Sequence, residues 1–399
     1  MLTSFALLFL LGLFLSMLFQ RMHLPGLLGM LLTGIILGPY CLNLLDDSLL
    51  SISADLRQFA LVIILSRAGL ALNIKDLKAV GRPAVLLCFV PACCEILGML
   101  LLAPRLLGIS TVEAAVMGTV IAAVSPAVIV PKMLHLMETD YGTNKSIPQL
   151  LLAGASVDDV FVIVLFTASL GLAQGQAFSL LALVRVPISI LTGIAFGALC
   201  GMLLSRFLHR FPLRDTVQLL ILLSLSSLLI ALENAISSVI PFSGLLAIMS
   251  LCAALLKQRP VIAHNLSAKF NQLWVGAEIM LFVLVGATVD PSYAVTAGPA
   301  AVVLIFGALL FRMVGVFLCM LRTPLNKKER LFCMISYCPK ATVQAAIGAI
   351  PLSMGLACGD IVLTVAVLAI IITAPLGAFL IDLTYRRLLT QSSPTQSSL

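Results

Sequence analysis

Apolar runs about twenty residues long recur from one end of this chain to the other, and they leave few folds open. A helix needs roughly 20 residues to cross about 30 Å of hydrocarbon. Thirteen segments can be drawn: Leu2–Gln20, Leu24–Tyr40, Leu56–Leu72, Pro83–Ala103, Val112–Met133, Ile147–Leu172, Leu183–Phe207, Val217–Ala235, Pro241–Leu256, Leu273–Val289, Ala297–Leu321, Leu331–Leu352 and Ile361–Leu383. Lipid offers the backbone no hydrogen-bond partner, so only helices or a closed barrel can span it, and the strict alternation of a barrel strand is missing here. The 399 residues are 61% hydrophobic and 10% charged, against roughly 45–50% and about 25% in soluble domains. Soluble enzymes, nucleic-acid binders and disordered scaffolds are excluded on that ground. The fold class expected is an all-α polytopic membrane protein with about 13 transmembrane helices. The first segment has no charged leader and no small-residue cleavage site, so it reads as a retained span.

The basic residues give that frame a direction. Of the 24 Lys and Arg, 18 follow odd-numbered segments, from Arg21 through Lys75, Lys78 and Arg82 to Arg386 and Arg387. Arg57, Arg105 and Arg185 lie on the other side, while Arg67, Arg312 and Lys340 fall inside apolar segments. By the positive-inside rule the N-terminus is expected outside and the C-terminus in the cytoplasm, with residues 388–399 as a short polar tail. The net charge of +7 is therefore a matter of topology. It points to anionic membrane lipid, not nucleic acid, as the natural partner. Compact length and the missing targeting segment favour a bacterial inner membrane. The ten cysteines mostly sit in apolar spans without metal-ligand spacing. Neither a phosphate-binding Gly loop nor an HExxH appears, so no cofactor and no enzymatic chemistry are expected.

Short matches recur in the same order in the two halves. Leu24-Pro25-Gly26-Leu27-Leu28 resembles Ile240-Pro241-Phe242-Ser243-Gly244-Leu245-Leu246, and Ala68-Gly69-Leu70-Ala71-Leu72-Asn73 resembles Val285-Gly286-Ala287-Thr288-Val289-Asp290. Glu95 and Arg312, lone ionisable residues mid-span, are 217 positions apart, as are Gly69 and Gly286; Ser125-Pro126 and Cys338-Pro339 follow at an offset of 213. The matches pair segments 2–5 with 9–12, and an odd separation of seven spans inverts the second copy in the membrane. Two inverted six-helix repeats are expected, 1–172 and 217–387, joined by a connecting span at 183–207. Pro126 and Pro131 in the fifth segment and Pro339 in the twelfth mark expected helix breaks, because proline removes a donor and crowds the preceding turn. Breaks at equivalent positions are where such transporters place their substrate site.

Buried charge points to the same region. Asp158 and Asp159 sit together inside the sixth segment, where a charge costs from about 2.5 kcal/mol upward. Adjacent carboxylates repel, which favours holding a proton on at least one of them. A site that wants a proton but accepts a small cation is what an exchanger requires. Ser125 and backbone carbonyls at the break can supply further hard oxygen ligands for Na⁺ or Li⁺ beside Asp159 and Asp158. Glu95 and Arg312, in equivalent spans, are expected to pair, as are Glu278 and Arg67. Lys340, beside the second break, is open to two roles: neutralising helix C-terminal ends or meeting the substrate.

These residues carry a family resemblance. Ala155-Ser156-Val157-Asp158-Asp159, Val124-Ser125-Pro126-Ala127-Val128-Ile129-Val130-Pro131 and Cys338-Pro339-Lys340-Ala341-Thr342-Val343-Gln344-Ala345-Ala346-Ile347-Gly348 resemble the sodium/proton antiporter (NHA-type) branch of the monovalent cation:proton antiporter superfamily. Ser66-Arg67-Ala68-Gly69-Leu70 and Ile372-Thr373-Ala374-Pro375-Leu376-Gly377-Ala378 extend the likeness over nearly the whole chain. The resemblance implies a homodimer, with a dimer domain and a mobile core domain formed from non-contiguous spans, and two crossing unwound helices in the core. It implies that Asp159 is the main cation and proton site, assisted by Asp158. Many relatives with the Asp pair carry lysine where this chain has Arg312. An arginine cannot exchange its proton, so the usual electrogenic stoichiometry is in doubt.

The expected function is secondary active exchange of Na⁺ or Li⁺ for H⁺ by alternating access. A sodium-coupled organic-anion symporter on a related inverted-repeat fold is the alternative, although few polar side chains are present to line a larger cavity. An intramembrane aspartyl protease needs two Asp on separate facing helices, which adjacent Asp158 and Asp159 do not provide.

Overall fold

A computed structural model of the chain describes residues 1–22, 24–71, 81–174, 180–211, 213–236 and 241–391. His23, Lys75, Lys78 and the 392–399 part of the tail lie outside the described residues, as does the side chain of Arg185. The helices, in chain order, are α1 (Leu2–Arg21), α2 (Gly26–Leu37), α3 (Asp47–Ser51), α4 (Ser53–Ala71), α5 (Arg82–Leu87) and α6 (Val90–Leu107). They continue with α7 (Thr111–Ile121), α8 (Pro126–Glu138), α9 (Ile147–Ala173), α10 (Leu180–Arg210), α11 (Asp215–Ile236) and α12 (Gly244–Gln258). The last six are α13 (Pro260–Ala287), α14 (Pro291–Cys319), α15 (Lys327–Ser336), α16 (Thr342–Ile347), α17 (Ile350–Ser353) and α18 (Gly359–Leu388).

Every apolar segment drawn from the sequence coincides with a helix or with short helices in series. Among the described residues, seven helical stretches are long and apolar enough to cross a membrane, and shorter apolar helices such as α2, α7 and α12 accompany them. Large apolar side chains such as Leu191, Leu199 and Leu203 on α10 and Leu310 and Val314 on α14 point outward unburied. In water such faces would be a liability; against lipid they are the ordinary surface of a helix. The protein is an integral membrane protein with an all-α fold.

Two compact units divide the chain, and each draws on both halves of the sequence. The first contains Met1–Leu15, Met30–Leu72 and Ile163–Thr288. Within it α10 lies along α12 over a stripe of small residues. A Cβ on Gly193, Gly197 or Gly201 would come within 2.5, 2.1 and 2.4 Å of the carbonyl oxygens of Ser243, Ala247 and Leu251. The absence of side chains at this four-residue spacing lets the two backbones touch, which substitutes for the hydrophobic drive that lipid removes. Arg57, counted among the basic residues of the outer side, is buried in the first turns of α4. Its Nη1 donates to Thr288 Oγ1 at 3.4 Å. The helix begins at Ser53, earlier than the apolar run suggests, and draws the arginine in with it.

The second unit contains Ser16–Gly29, Asn73–Val162 and Val289–Leu399. Here α6 packs on α14 and on α7, and α18 runs through the middle against α7, α8, α14, α15 and α16. Helix starts are fixed by side chains. Ser110 and Glu113 close a capping box on α7, Asn326 and Glu329 close another on α15, and Glu329 also accepts from Lys145 Nζ at 2.8 Å. Two helices in this unit are interrupted. Between α7 and α8 the residues Ala122–Ser125 leave the helix, and between α15 and α16 so do Tyr337–Ala341.

Pro131 departs from the expected break. It lies inside α8, which runs on from Pro126 to Glu138. The break is made upstream, and Pro126 occupies the first helical position, where its missing N–H has no partner to lose. Pro131 then forfeits one intrahelical bond, to the Ala127 carbonyl, which a helix already begun can tolerate.

Candidate functional site

The two interruptions meet. Ser125 N–H donates to the Pro339 carbonyl at 2.8 Å, joining the unwound backbone of one broken helix to that of the other. The approach is close because α18 presents Gly377 to it, where a Cβ would lie 2.4 Å from Pro339 Cγ. Thr373, one turn earlier on α18, accepts the Lys340 N–H at 2.9 Å through its hydroxyl. Two helix C-terminal ends, of α7 and α15, and two helix N-terminal ends, of α8 and α16, therefore converge at one place. Their partial charges are negative and positive respectively.

Arg312, fully buried on α14, ties this region together. Its Nε donates to the Tyr337 carbonyl at 2.6 Å, and Nη1 donates to the Ala122 carbonyl, so one guanidinium satisfies the open C-terminal ends of both broken helices. Nη1 also reaches Glu95 Oε2 at 2.9 Å, and Nη2 reaches Asp158 Oδ2 at 3.0 Å. The Tyr337 ring lies 5.1 Å from the guanidinium carbon and covers it. Only a planar, five-donor side chain can serve four acceptors in this way.

Lys340 does something else. Its Nζ bonds Glu95 Oε2 at 2.5 Å, so Glu95 holds both buried cations and leaves the helix ends to Arg312. Of the two roles open to Lys340, the neutralising of helix C-terminal ends belongs to Arg312. A lysine has no fork with which to bridge two carbonyls.

The two adjacent aspartates differ sharply. Asp158 is fully buried, and its Oδ2 accepts from Arg312 and from the Val124 N–H at 2.8 Å, which pins it to the first break. Asp159, one residue on and rotated about 100° around α9, is partly exposed, and its Oδ1 has no hydrogen-bond partner among the described residues. Ser125 is fully buried, and its Oγ is likewise unpartnered, as are Asp158 Oδ1, Glu95 Oε1, Thr342 Oγ1 and Gln344 Oε1. Buried oxygens without donors are rare in folded proteins. Several at one crossing, two of them hydroxyls and the rest carboxylate or amide oxygens, gather unsatisfied hard oxygen atoms in one region.

Arg67 and Glu278 are not part of this site. They lie in the first unit, on α4 and α13, which pack together there, and they sense one another's charge without a direct salt bridge among the described residues. Sequence reasoning gave no role to Gln344, Tyr337 or Thr373. For Gln344 a signal existed: it is the one amide in the apolar stretch Val343–Ile350. The Tyr337 and Thr373 contacts depend on which helix faces which, and no local pattern encodes that.

Comparison with known proteins bears on the whole chain. The family described as sodium/hydrogen exchanger, transmembrane, matches residues 5–384. Sodium/hydrogen exchanger 9B2 of Homo sapiens is 35% identical over 385 residues, covering 92% of this chain and 70% of that protein. Sodium/hydrogen exchanger 9B1 of Homo sapiens is 31% identical over 391 residues, covering 92% and 73%. In fold, the structure of the sodium proton antiporter MjNhaP1 from Methanocaldococcus jannaschii at pH 8 superimposes with a TM-score of 0.85 at 21% identity, over 97% of this chain and 98% of that one. The two exchangers are animal proteins and give no support to the expected bacterial inner membrane.

Proposed function

Because the chain belongs to the sodium/hydrogen exchanger family, we propose that it exchanges Na⁺ or Li⁺ for H⁺ by alternating access, with cation and proton competing for Asp159. Members of this family are transporters and not enzymes, and no covalent step is involved. The observation that carries the reading is the asymmetry of the Asp pair. Asp158 is committed to Arg312 and the Val124 N–H, whereas Asp159 Oδ1 is buried with no partner among the described residues. An ionised carboxylate in that position is costly unless a positive charge sits on it. A proton and a partly dehydrated Na⁺ are the two charges that fit, and only one can be held at a time. Ser125 Oγ and Asp158 Oδ1, both buried and unpartnered among the described residues, are the candidates for additional cation ligands.

The matched positions of the two breaks and of Glu95 and Arg312 support the inverted-repeat organisation, 1–172 against 217–387, with about thirteen crossings. The excess of Lys and Arg after odd-numbered segments supports an outside N-terminus. A homodimer surrounded by anionic lipid is the assembly we infer.

The test is direct. Purified protein in liposomes with a lumenal pH dye, given a Na⁺ or Li⁺ gradient, should move protons against the cation. Asp159→Asn should leave only the leak of protein-free liposomes. Full exchange in Asp159→Asn would overturn the assignment, and no cation-dependent proton movement in the unmodified protein would overturn exchange itself.

A further inference from the structure

We infer that Gln344 is a positioning residue that sets cation affinity and selectivity, by clamping the unwound segment of one broken helix from the first turn of the other. The inference deepens the exchange reading and rests on it. Gln344 lies on α16, immediately after the second break, and its side chain is fully buried. Its Nε2 donates to the Ile121 carbonyl at 3.0 Å and to the Ala123 carbonyl at 2.8 Å, the last carbonyl of α7 and one within the first break. Both amide hydrogens are thereby used. Together with Arg312 on Ala122, three successive carbonyls, 121 to 123, are held by side chains from other helices.

What that holding accomplishes follows from the next two residues. Val124 N–H fixes Asp158, and Ser125 N–H fixes the Pro339 carbonyl. The clamp on Ala123 sets the path of the backbone just before both. A shift there moves the Asp158 carboxylate and the Ser125 hydroxyl together. Carbonyl groups tied down by donors also cannot swing in to wrap a larger cation, so the ligand set stays fixed in size. Selection between ions that differ mainly in radius depends on such rigidity.

The second observation is the other end of the same amide. With both hydrogens given to carbonyls, Oε1 is left as a buried acceptor with no donor among the described residues, and Thr342 Oγ1, two residues earlier, is unpartnered there as well. An amide whose only task was to satisfy helix ends would be expected to have its oxygen paired too, since an unsatisfied buried acceptor costs about 1–3 kcal/mol. A lone neutral oxygen beside the crossing is instead suited to the hydration shell of an arriving cation.

Gln344→Met keeps the volume and removes the clamp. In proteoliposomes it should raise the KM for Na⁺ by about tenfold or more, the cost of losing two buried amide bonds, and shrink the ratio of Na⁺ to Li⁺ KM values towards one, with a smaller effect on maximal rate. In detergent, the rise in melting temperature produced by NaCl should shrink in the same variant, a readout that needs no transport. Should Gln344→Met fail to fold, Gln344→Asn, which keeps the amide but draws it back one methylene from the Ile121 and Ala123 carbonyls, should move the KM and the ion ratio in the same direction by a smaller factor. Unchanged KM and unchanged ion ratio in Gln344→Met, or in Gln344→Asn where that is the variant measured, would overturn the inference while leaving exchange intact. A fall in melting temperature with maximal rate reduced and KM unmoved would overturn it as well. Absence of exchange in the unmodified protein would instead remove the reading beneath it.

Discussion

Four charged side chains with little or no solvent, Glu95, Asp158, Arg312 and Lys340, form one connected network, so none can be changed alone without leaving another charge exposed to a low dielectric. Removing one partner of such a group costs about 3–5 kcal/mol, whereas removing both ends of one pair costs less than the sum. Lys340→Met and Glu95→Gln are therefore expected each to lower the thermal midpoint in detergent. The double variant should recover part of the loss, a coupling of about 0.5–3 kcal/mol. Additive losses would mean that the 2.5 Å contact between them contributes nothing of its own. Arg312→Lys separates charge from geometry. It keeps the cation but cannot bridge Tyr337 and Ala122, and on the order of 2–4 kcal/mol should be lost with exchange. Both Arg312 and Lys340 look alike in sequence, each a lone cation in an apolar run. Which one caps the helix ends depends on reach and fork geometry across helices, and so was legible only in three dimensions.

At the scale of elements, much was legible. The apolar runs place the helices because membrane-spanning backbone has no alternative to internal hydrogen bonding, and Pro126 and Pro339 flag the two interruptions. Pro131 misleads for a physical reason: a proline breaks a helix only where the backbone it disturbs has somewhere else to bond. Ser125 N–H and the Pro339 carbonyl have each other, whereas the Ala127 carbonyl opposite Pro131 forgoes a single bond within a continuous helix. Glycine was the less legible signal, since its meaning depends on the neighbour it admits. Gly377→Val should push Pro339 away from α18 and reduce exchange more than the 1–3 kcal/mol typical of overpacking would explain by instability alone. Gly197→Leu, in the stripe between α10 and α12, should lower the melting temperature and protein yield instead, with the KM for Na⁺ unchanged in the protein that survives. Parallel loss of activity and stability in Gly377→Val would argue that the crossing tolerates displacement and that Pro339 only ends a helix.

For the whole molecule the decisive quantity is the charge carried across the membrane in one cycle. Around the crossing, two cations face three carboxylates. Arg312 answers Asp158 and shares Glu95 with Lys340, and Asp159 is left over. Arg312 keeps its proton at all accessible pH values, and Lys340 is held on Glu95 at 2.5 Å. If both stay charged, Asp159 carries one proton in one direction and one Na⁺ in the other, and the loaded site has the same net charge on each leg. Exchange should then run at the same rate whether the membrane potential is clamped at zero or set inside-negative by a potassium gradient with ionophore. Had Lys340 released its proton on each Na⁺ binding, two protons would move per Na⁺. Each elementary charge would then gain about 2.3 kcal/mol per 100 mV, and an inside-negative potential would shift both rate and end point strongly. The two cases separate further in Lys340→Met. A one-for-one exchanger remains indifferent to voltage when Lys340 is replaced, however much it slows, while a two-proton exchanger loses its voltage dependence with that side chain. Voltage sensitivity present in the unmodified protein and absent in Lys340→Met would therefore assign the second proton to Lys340 and overturn the view that the Glu95 network is a fixed counter-charge.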